Sequence, residues 1–338
     1  MKLCTIIGRS LKRTTALLAA GLLLTTTACS GGGDGDATDQ ITIGVVQYME
    51  HAALDAAYNG FVDALADGGY VNGEKIALDF QNAQGDASNL STIGDRFVGR
   101  GANLILAITT DAAQAMAGKT DSIPILATAV TSYQTAGLVE SDAAPGGNIT
   151  GTSDMNPVAA QIDLIAELVP AVQTIGLLYT SSEDNSLLQI ELAKERIETL
   201  GLAWSEATVT GVGDVQQATQ SLVQRCDAIY IPTDNTIASA MATVHGVTGE
   251  SKTPTVCGAS SMVLDGGLAT MGIDYYALGY KTGGMAIEVL NGADPATMPI
   301  QYADSSDEVT INAQVAREID FEIPAKYAAA VVDPEAAA

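Results

Sequence analysis

The feature that most constrains this chain is a recurring unit: an apolar run that stops at a cluster of small polar residues, with helical spacing after it. Leu177–Ser186 (LLYTSSEDNS) shows the unit and Ile229–Asn235 (IYIPTDN) echoes it. A short apolar run bounded by turn residues reads as a buried strand, and the polar residues at its end can cap the following helix. Strands that alternate with helices at this pace build βαβ units and a parallel sheet. Open sheets of that kind bind ligands outside the carboxyl ends of their strands.

Taken in order, Ile41–Gln47 (ITIGVVQ) is the first such strand. Leu54, Tyr58, Phe61, Val62 and Leu65 follow at helical spacing, and Gly68-Gly69 ends that helix. Lys75–Phe80, Leu104–Thr109 and Pro124–Val130 are further strands; Leu90, Ile93, Phe97 and Val98 mark a helix between the first two of these. Near Gly146–Asp154 the rhythm resets through a short polar piece, Asn148–Ser153. A helix (Val158–Leu168), a strand (Thr174–Thr180) and a helix (Asp184–Leu200) follow. Next come a strand (Ala203–Val209), a helix (Val215–Arg225), a strand (Ala228–Pro232) and a helix (Thr236–Gly249). Thr255–Gly258 and Leu268–Ile273 read as two more strands. The expected fold class is therefore α/β, with two similar doubly wound blocks of about 110–120 residues. A late helix (Asp274–Leu290) and two extended pieces (Met298–Tyr302 and Glu308–Ile311) imply that the chain crosses back between the blocks. Several crossings make a hinge, and hinged domains close around ligands.

The amino terminus reads as an address. Lys2, Arg9, Lys12 and Arg13 precede an apolar stretch, Ala16–Leu24, that is too short to span a bilayer. Ala28-Cys29 just beyond it resembles the bacterial lipobox, in which the Cys is acylated after cleavage; Thr26 stands where that motif has Leu. Residues 1–28 are thus expected to be a lipoprotein signal peptide, Cys29 the lipidated residue and 29–40 a flexible tether. This places the protein on the extracytoplasmic face of the cell membrane, held by lipid alone. About 300 residues remain, more than one core usually supports, which again favours two domains.

The chain carries 40 acidic and 15 basic residues, a net charge of −25, and four of the basic ones lie in the signal. That excess argues against nucleic acid and against anionic lipid surfaces. Cys226 precedes one expected strand and Cys257 lies late in the next, a stagger that would strain a disulfide, so two separate thiols are expected. His51 and His245 are the only histidines and sit in different elements; no metal cage, Gly-rich phosphate loop or Gly-x-Ser-x-Gly nucleophile motif is present. With no activated group in view, the reading is a binding protein, not an enzyme, with no cofactor and as a monomer.

The strand ends carry the candidate site: Gln47, Tyr48 and Glu50; Thr109 and Thr110; Thr128; Tyr179, Ser181, Ser182 and Asn185; Thr233, Asp234 and Asn235; and Asp274 from the hinge side. Hydroxyls, amides and N–H groups at helix starts suit an anion such as a carboxylate. An Asp such as Asp234 or Asp274 suits an ammonium. Thr110, Asp184 and Asp234 are each plausible N-caps, but the clusters together exceed what capping needs. Tyr48, Tyr179, Tyr275 and Tyr276 stand near the same ends and can stack on a ring or simply pack. Trp204, far from these ends, is expected in the core.

These residues resemble one family. Ile43–Gln47 leading into Glu50-His51-Ala52-Ala53-Leu54-Asp55, then Asn148–Asp154, Leu177–Ser186, Ala228–Thr236 and Gly272–Gly279 are similar to segments of the ABC transporter substrate-binding proteins whose characterised members include tryptophan- and tyrosine-binding lipoproteins. That family usually has Pro where this chain has Ala52 and often Ala where it has Asp184. The resemblance implies a type I periplasmic-binding-protein fold, with two Rossmann-like lobes joined by three strands. The first lobe would be 41–152 plus 275–302, the second 153–274 plus 303–325, with 326–338 a disordered tail. It also implies a small-molecule ligand, an aromatic amino acid first, delivered to an ABC permease. A sugar- or nucleoside-type solute, or a sensor presenting its ligand to a signalling receptor, are the rival readings.

Overall fold

A computed structural model describes residues 40–303 and 308–334; the expected signal peptide, Cys29 and nearly all of the tether lie outside them. The first sheet is built by β1 (Ile41–Gln47), β2 (Ile76–Asn82), β3 (Leu104–Ile108), β4 (Ile125–Val130) and β5 (Ile149–Ser153), with α1 (Ala52–Asp67), α2 (Ala87–Gly99) and α3 (Thr110–Ala117) in the connections. The second is built by β6 (Thr174–Thr180), β7 (Ala203–Val209), β8 (Ala228–Ile231), β9 (Thr255–Cys257) and β10 (Ala269–Met271). Its helices are α4 (Val158–Leu168), α5 (Asp184–Thr199), α6 (Val215–Leu222), α7 (Asn235–Ala238), α8 (Met241–Ser251) and α9 (Ser260–Leu264). The chain then runs through α10 (Tyr275–Leu290), β11 (Gln301–Tyr302), β12 (Val309–Asn312), α11 (Ala313–Glu318) and β13 (Val331–Val332).

The strand orders are β11-β5-β4-β3-β1-β2 and β13-β12-β10-β9-β8-β6-β7. Pairing is parallel throughout, except that β12 runs antiparallel to β10. Burial explains the residue choice: β3 and β4 are buried at every position because helices cover both faces, so they read as unbroken apolar runs. The chain leaves the first sheet after β5, returns to that lobe through α10, and leaves it again between β11 and β12. Three passages therefore join two lobes. α10 lies directly on α1, where Gly279 sits so close that a Cβ would stand 1.9 Å from the carbonyl oxygen of Ala57.

Several features differ from the sequence reading, among them the short helices α9 and α11, which it lacked. Asn148–Ser153, polar as it looks, contains β5, fully buried because its threonines hydrogen-bond inside the sheet: Thr152 Oγ1 meets Thr128 Oγ1 at 3.0 Å and Thr282 Oγ1 at 2.7 Å. The long helix expected over 236–249 breaks into α7 and α8. Trp204 is 36 % exposed, because β7 is an edge strand with little cover. Residues 325–332, expected to lie in or beside a disordered tail, form a 3-10 turn and β13, which pairs with β12. Cys226 and Cys257 are both free thiols, as the stagger suggested.

Candidate functional site

In both sheets the first five strands follow the order 2-1-3-4-5, so the chain direction across the sheet reverses between the first and third strands of each. Crevices open at such reversals. In the first lobe the reversal lies between β1 and β3, and in the second between β6 and β8. The residues just beyond these four strands face one inter-lobe cleft.

The first-lobe wall begins at Gln47, buried at the end of β1. Its Nε2 donates to the Met49 carbonyl at 2.9 Å and to Asp55 Oδ1 at 2.8 Å, which leaves Oε1 buried without a protein partner. Tyr48 is half-buried; burial first, then Asp111 and Glu183, push its phenol up to about 12. Thr109 ends β3 with φ of 105°, a strained backbone for a non-glycine residue, and its Oγ1 accepts from the Ala112 amide. Ala129 in β4 has φ of 55° beside a register shift against β5, and it lines the cleft. Thr110 Oγ1 and Asp111 Oδ2 are buried without partners among the described residues. Burial, then Glu183 and Asp184 across the cleft, raise the Asp111 carboxyl to about 7.

The second-lobe wall is a hydrogen-bonded clamp. Asp234 accepts from Thr180 N (2.6 Å), Thr180 Oγ1 (2.7 Å), Ser186 Oγ (2.8 Å) and Ile237 N (2.9 Å). Glu183 accepts from the amide and side chain of Asn235 (2.9 and 2.8 Å) and from the amide and hydroxyl of Thr236 (3.0 and 2.8 Å). Two carboxylates thus bind the start of α7 to the end of β6 and the start of α5. Burial, then Glu183, raises Asp234 above the usual carboxylate range, against the pull of its donors. Asn185 donates to the Thr233 carbonyl at 2.8 Å, so its Oδ1 is the free end, buried and without a partner.

The lobes touch. His51 Nε2 lies 3.2 Å from Asn235 Oδ1, and Gln114 Nε2 donates to Asp184 Oδ2 at 3.0 Å. Asn235 offers an oxygen there because its amide nitrogen is committed to Glu183. The neutral His51 therefore carries its proton on Nε2 and presents a bare Nδ1. Burial lowers the His51 pKa, which keeps the ring neutral. Between the walls lies a cavity of about 20 Å³, space for roughly one water. It is enclosed by His51, Ala129, Asp154, Asn185, Asp234 and Tyr275 among others. Asp154 is held by Thr131 Oγ1 at 2.9 Å and by the Tyr275 hydroxyl at 2.7 Å. A recess of about 390 Å³ adjoins on the hinge side and shares Ala53, Ser261 and Tyr275 with the cavity. Among the described residues, no Lys or Arg lines either space.

Of the residues singled out from sequence, Asn185, Thr233, Asp234 and Asn235 line the cavity, with Gln47, Tyr48, Thr109 and Thr110 at the facing strand ends. Others are placed elsewhere. Tyr179 points to the opposite face of its sheet, where its hydroxyl meets Glu206 at 3.1 Å; side chains alternate along β6, so Thr180 takes the cleft side. Thr128 is committed to Thr152 inside the sheet. Glu50, Ser181 and Ser182 are exposed. Asp274 caps α10 by accepting from Ala277 N and borders the hinge-side recess. Asp234, expected to meet an ammonium, has both oxygens taken by protein donors. The sequence reading did not single out Glu183, Asp111 or Asp154. Only their chain positions, immediately after strand ends, signalled them.

The chain matches the family described as ABC transporter substrate binding protein over residues 42–332. It belongs to that family. It is 40 % identical over 287 residues to a tyrosine-binding protein of Clostridioides difficile, covering 85 % of this chain and 83 % of that one. A Streptococcus pneumonia ABC domain in complex with L-Trp superposes with a TM-score of 0.83 at 39 % identity, covering 87 % of this chain and all of that one. The ligand-free, open structure of a Clostridium difficile substrate-binding protein with adhesive properties, also 39 % identical and covering 86 % of this chain and 99 % of that one, gives 0.66. At equal identity, a lower score against an open structure is what lobe rotation produces. The fold is the two-lobed type I periplasmic-binding-protein fold. The lobes here stand in the closed arrangement, in keeping with the cross-cleft hydrogen bonds.

Proposed function

We propose that this member of the substrate-binding family captures an aromatic amino acid between its lobes and delivers it to an ABC importer from a lipid anchor at Cys29. The observation that carries the reading is the cleft, formed where both sheets reverse and bridged by His51–Asn235 and Gln114–Asp184. Its likeness to a tyrosine-binding relative supports the ligand class. The start of α1, a 16-residue helix, opens on the cavity through His51 and Ala53 and offers its positive dipole end to a carboxylate. Buried acids and bare acceptors suit the other pole of a zwitterion. Tyr48 and the apolar side of the hinge recess can meet a ring.

The mechanism is differential binding. A small-molecule pocket holds about 300–1,000 Å³, so the lobes must part to admit a solute larger than water. A ligand that contacts both walls favours the closed population only to the extent that it binds that form better. The closed form then docks on the permease.

Titration calorimetry of the purified protein against the amino acids, a sugar set and nucleosides tests this. Tryptophan or tyrosine binding is expected. Binding of a sugar or nucleoside and no amino acid overturns it. Native mass spectrometry of freshly purified protein, reading the mass of any retained solute, is the companion measurement.

A further inference from the structure

The acids around the cleft are not equivalent. Both oxygens of Asp234 and of Glu183 are filled by protein donors. Asp154 is held at both oxygens by Thr131 and Tyr275. Asp55 accepts from Gln47, and exposed Asp184 accepts from Gln114. Asp111 stands apart, because its Oδ2 is buried with no donor among the described residues.

Other bare atoms stand at the same strand ends and helix starts: Asn185 Oδ1, Gln47 Oε1 and His51 Nδ1 are acceptors without partners among the described residues, and the hydroxyl of Thr110, the neighbour of Asp111 in the chain, is free to accept or donate. Thr110 is 3 % and Asn185 7 % exposed, so bulk water does not reach them freely. Both line a small inter-lobe recess with Asp184. Buried polar atoms are normally paired, and a set of bare acceptors in a cleft lined by no Lys or Arg among the described residues calls for a donor brought by the ligand.

We propose that Asp111 receives the protonated amine of the ligand, with Asn185 Oδ1 and Thr110 Oγ1 completing its hydrogen bonds, so that this residue selects amine-bearing solutes. The inference rests on the amino-acid reading above and deepens it. The groups facing Asp111 are Glu183 and Asp184 at the start of α5 and Tyr48 beyond β1; none is a cation. A ligand ammonium is then the counter-charge that lets Asp111 ionise in the closed cleft. Affinity for an amine-bearing ligand accordingly falls as pH drops and this carboxyl, raised by burial and the facing acids, takes up a proton.

The test is calorimetry of wild type and Asp111→Asn with L-tryptophan, L-tyrosine and the desamino analogue 3-(indol-3-yl)propionate. Losing a hydrogen bond to a charged group costs roughly 10- to 100-fold in affinity. We expect that loss for the amino acids in Asp111→Asn, and little change for the desamino compound. The ratio between the two is a readout that general misfolding does not move. Unchanged or tighter amino-acid binding by Asp111→Asn overturns the inference while leaving the proposed function intact: Asp111 is then only an acid that opposes closure. Wild-type protein that binds no amino acid overturns both.

Discussion

Glu183→Gln is the most informative single change in the second lobe. Glu183 spends four lone-pair directions on the start of α7, two at each oxygen. Gln keeps one of those oxygens. Whichever way its amide turns, the NH2 faces a buried backbone N–H, of Asn235 or of Thr236, that is left without an acceptor, and the bonds that remain lose their charge assistance. Hydrogen bonds to a charged group are each worth about 1.5–3 kcal/mol, so the gross loss is ~3–6 kcal/mol. Part of it is offset, because the Glu183 charge is one of the causes that raise Asp234, and removing it relieves that repulsion. A net loss of ~2–4 kcal/mol remains. For a lobe of roughly 150 residues this lowers Tm by about 5–15 °C, read by circular dichroism or calorimetry at constant pH. Amide exchange at Asn235 and Thr236 should accelerate in parallel. A Tm within about 2 °C of wild type, with those amides still protected, refutes the idea that this carboxylate clamps the lobe.

Three further outcomes are expected. Gly279→Ala places a methyl 1.9 Å from the Ala57 carbonyl oxygen and should destabilise by about 1–3 kcal/mol or more, whereas Gly284→Ala on the same helix meets nothing within 4 Å and should be neutral or stabilising, both read as Tm. Without ligand, the raised carboxyls of Asp111 and Asp234 hold protons in the folded protein that the unfolded chain has released; their contribution to stability is complete below the ordinary carboxylate pKa and fades as pH rises through about 7, so Asp111→Asn should flatten the Tm profile between about pH 4 and 7. Gln114→Ala removes a cross-cleft hydrogen bond made only when the lobes meet; it should weaken ligand binding about 2- to 10-fold and enlarge the ligand-free scattering radius, with Tm little changed.

The order of strands and helices was legible in the sequence because its cause is local. β1, α4, β6 and β7 have the bounds that periodicity predicts, since an apolar run and a capping residue are both decided within a few positions. The place of the candidate cleft was legible for the same reason, as polar clusters follow the strands that flank each sheet reversal. Where burial ran against composition, local reading failed: β5 is a polar strand made possible by threonine pairs from β4 and α10, and Trp204 is exposed because β7 has no outer neighbour. The site's chemistry was less legible still. Sequence pointed to Asp234 as the free carboxylate, but tertiary contacts fill it from Thr180 and Ser186, more than forty residues earlier. They also fill Glu183, turn Tyr179 away, and leave Asp111 bare across from Glu183 and Asp184. The chain alone determined which residues stand at the cleft. Only the meeting of two lobes decided which of them remain free to bind, because a carboxylate's partners are chosen by whatever donors the fold brings to it.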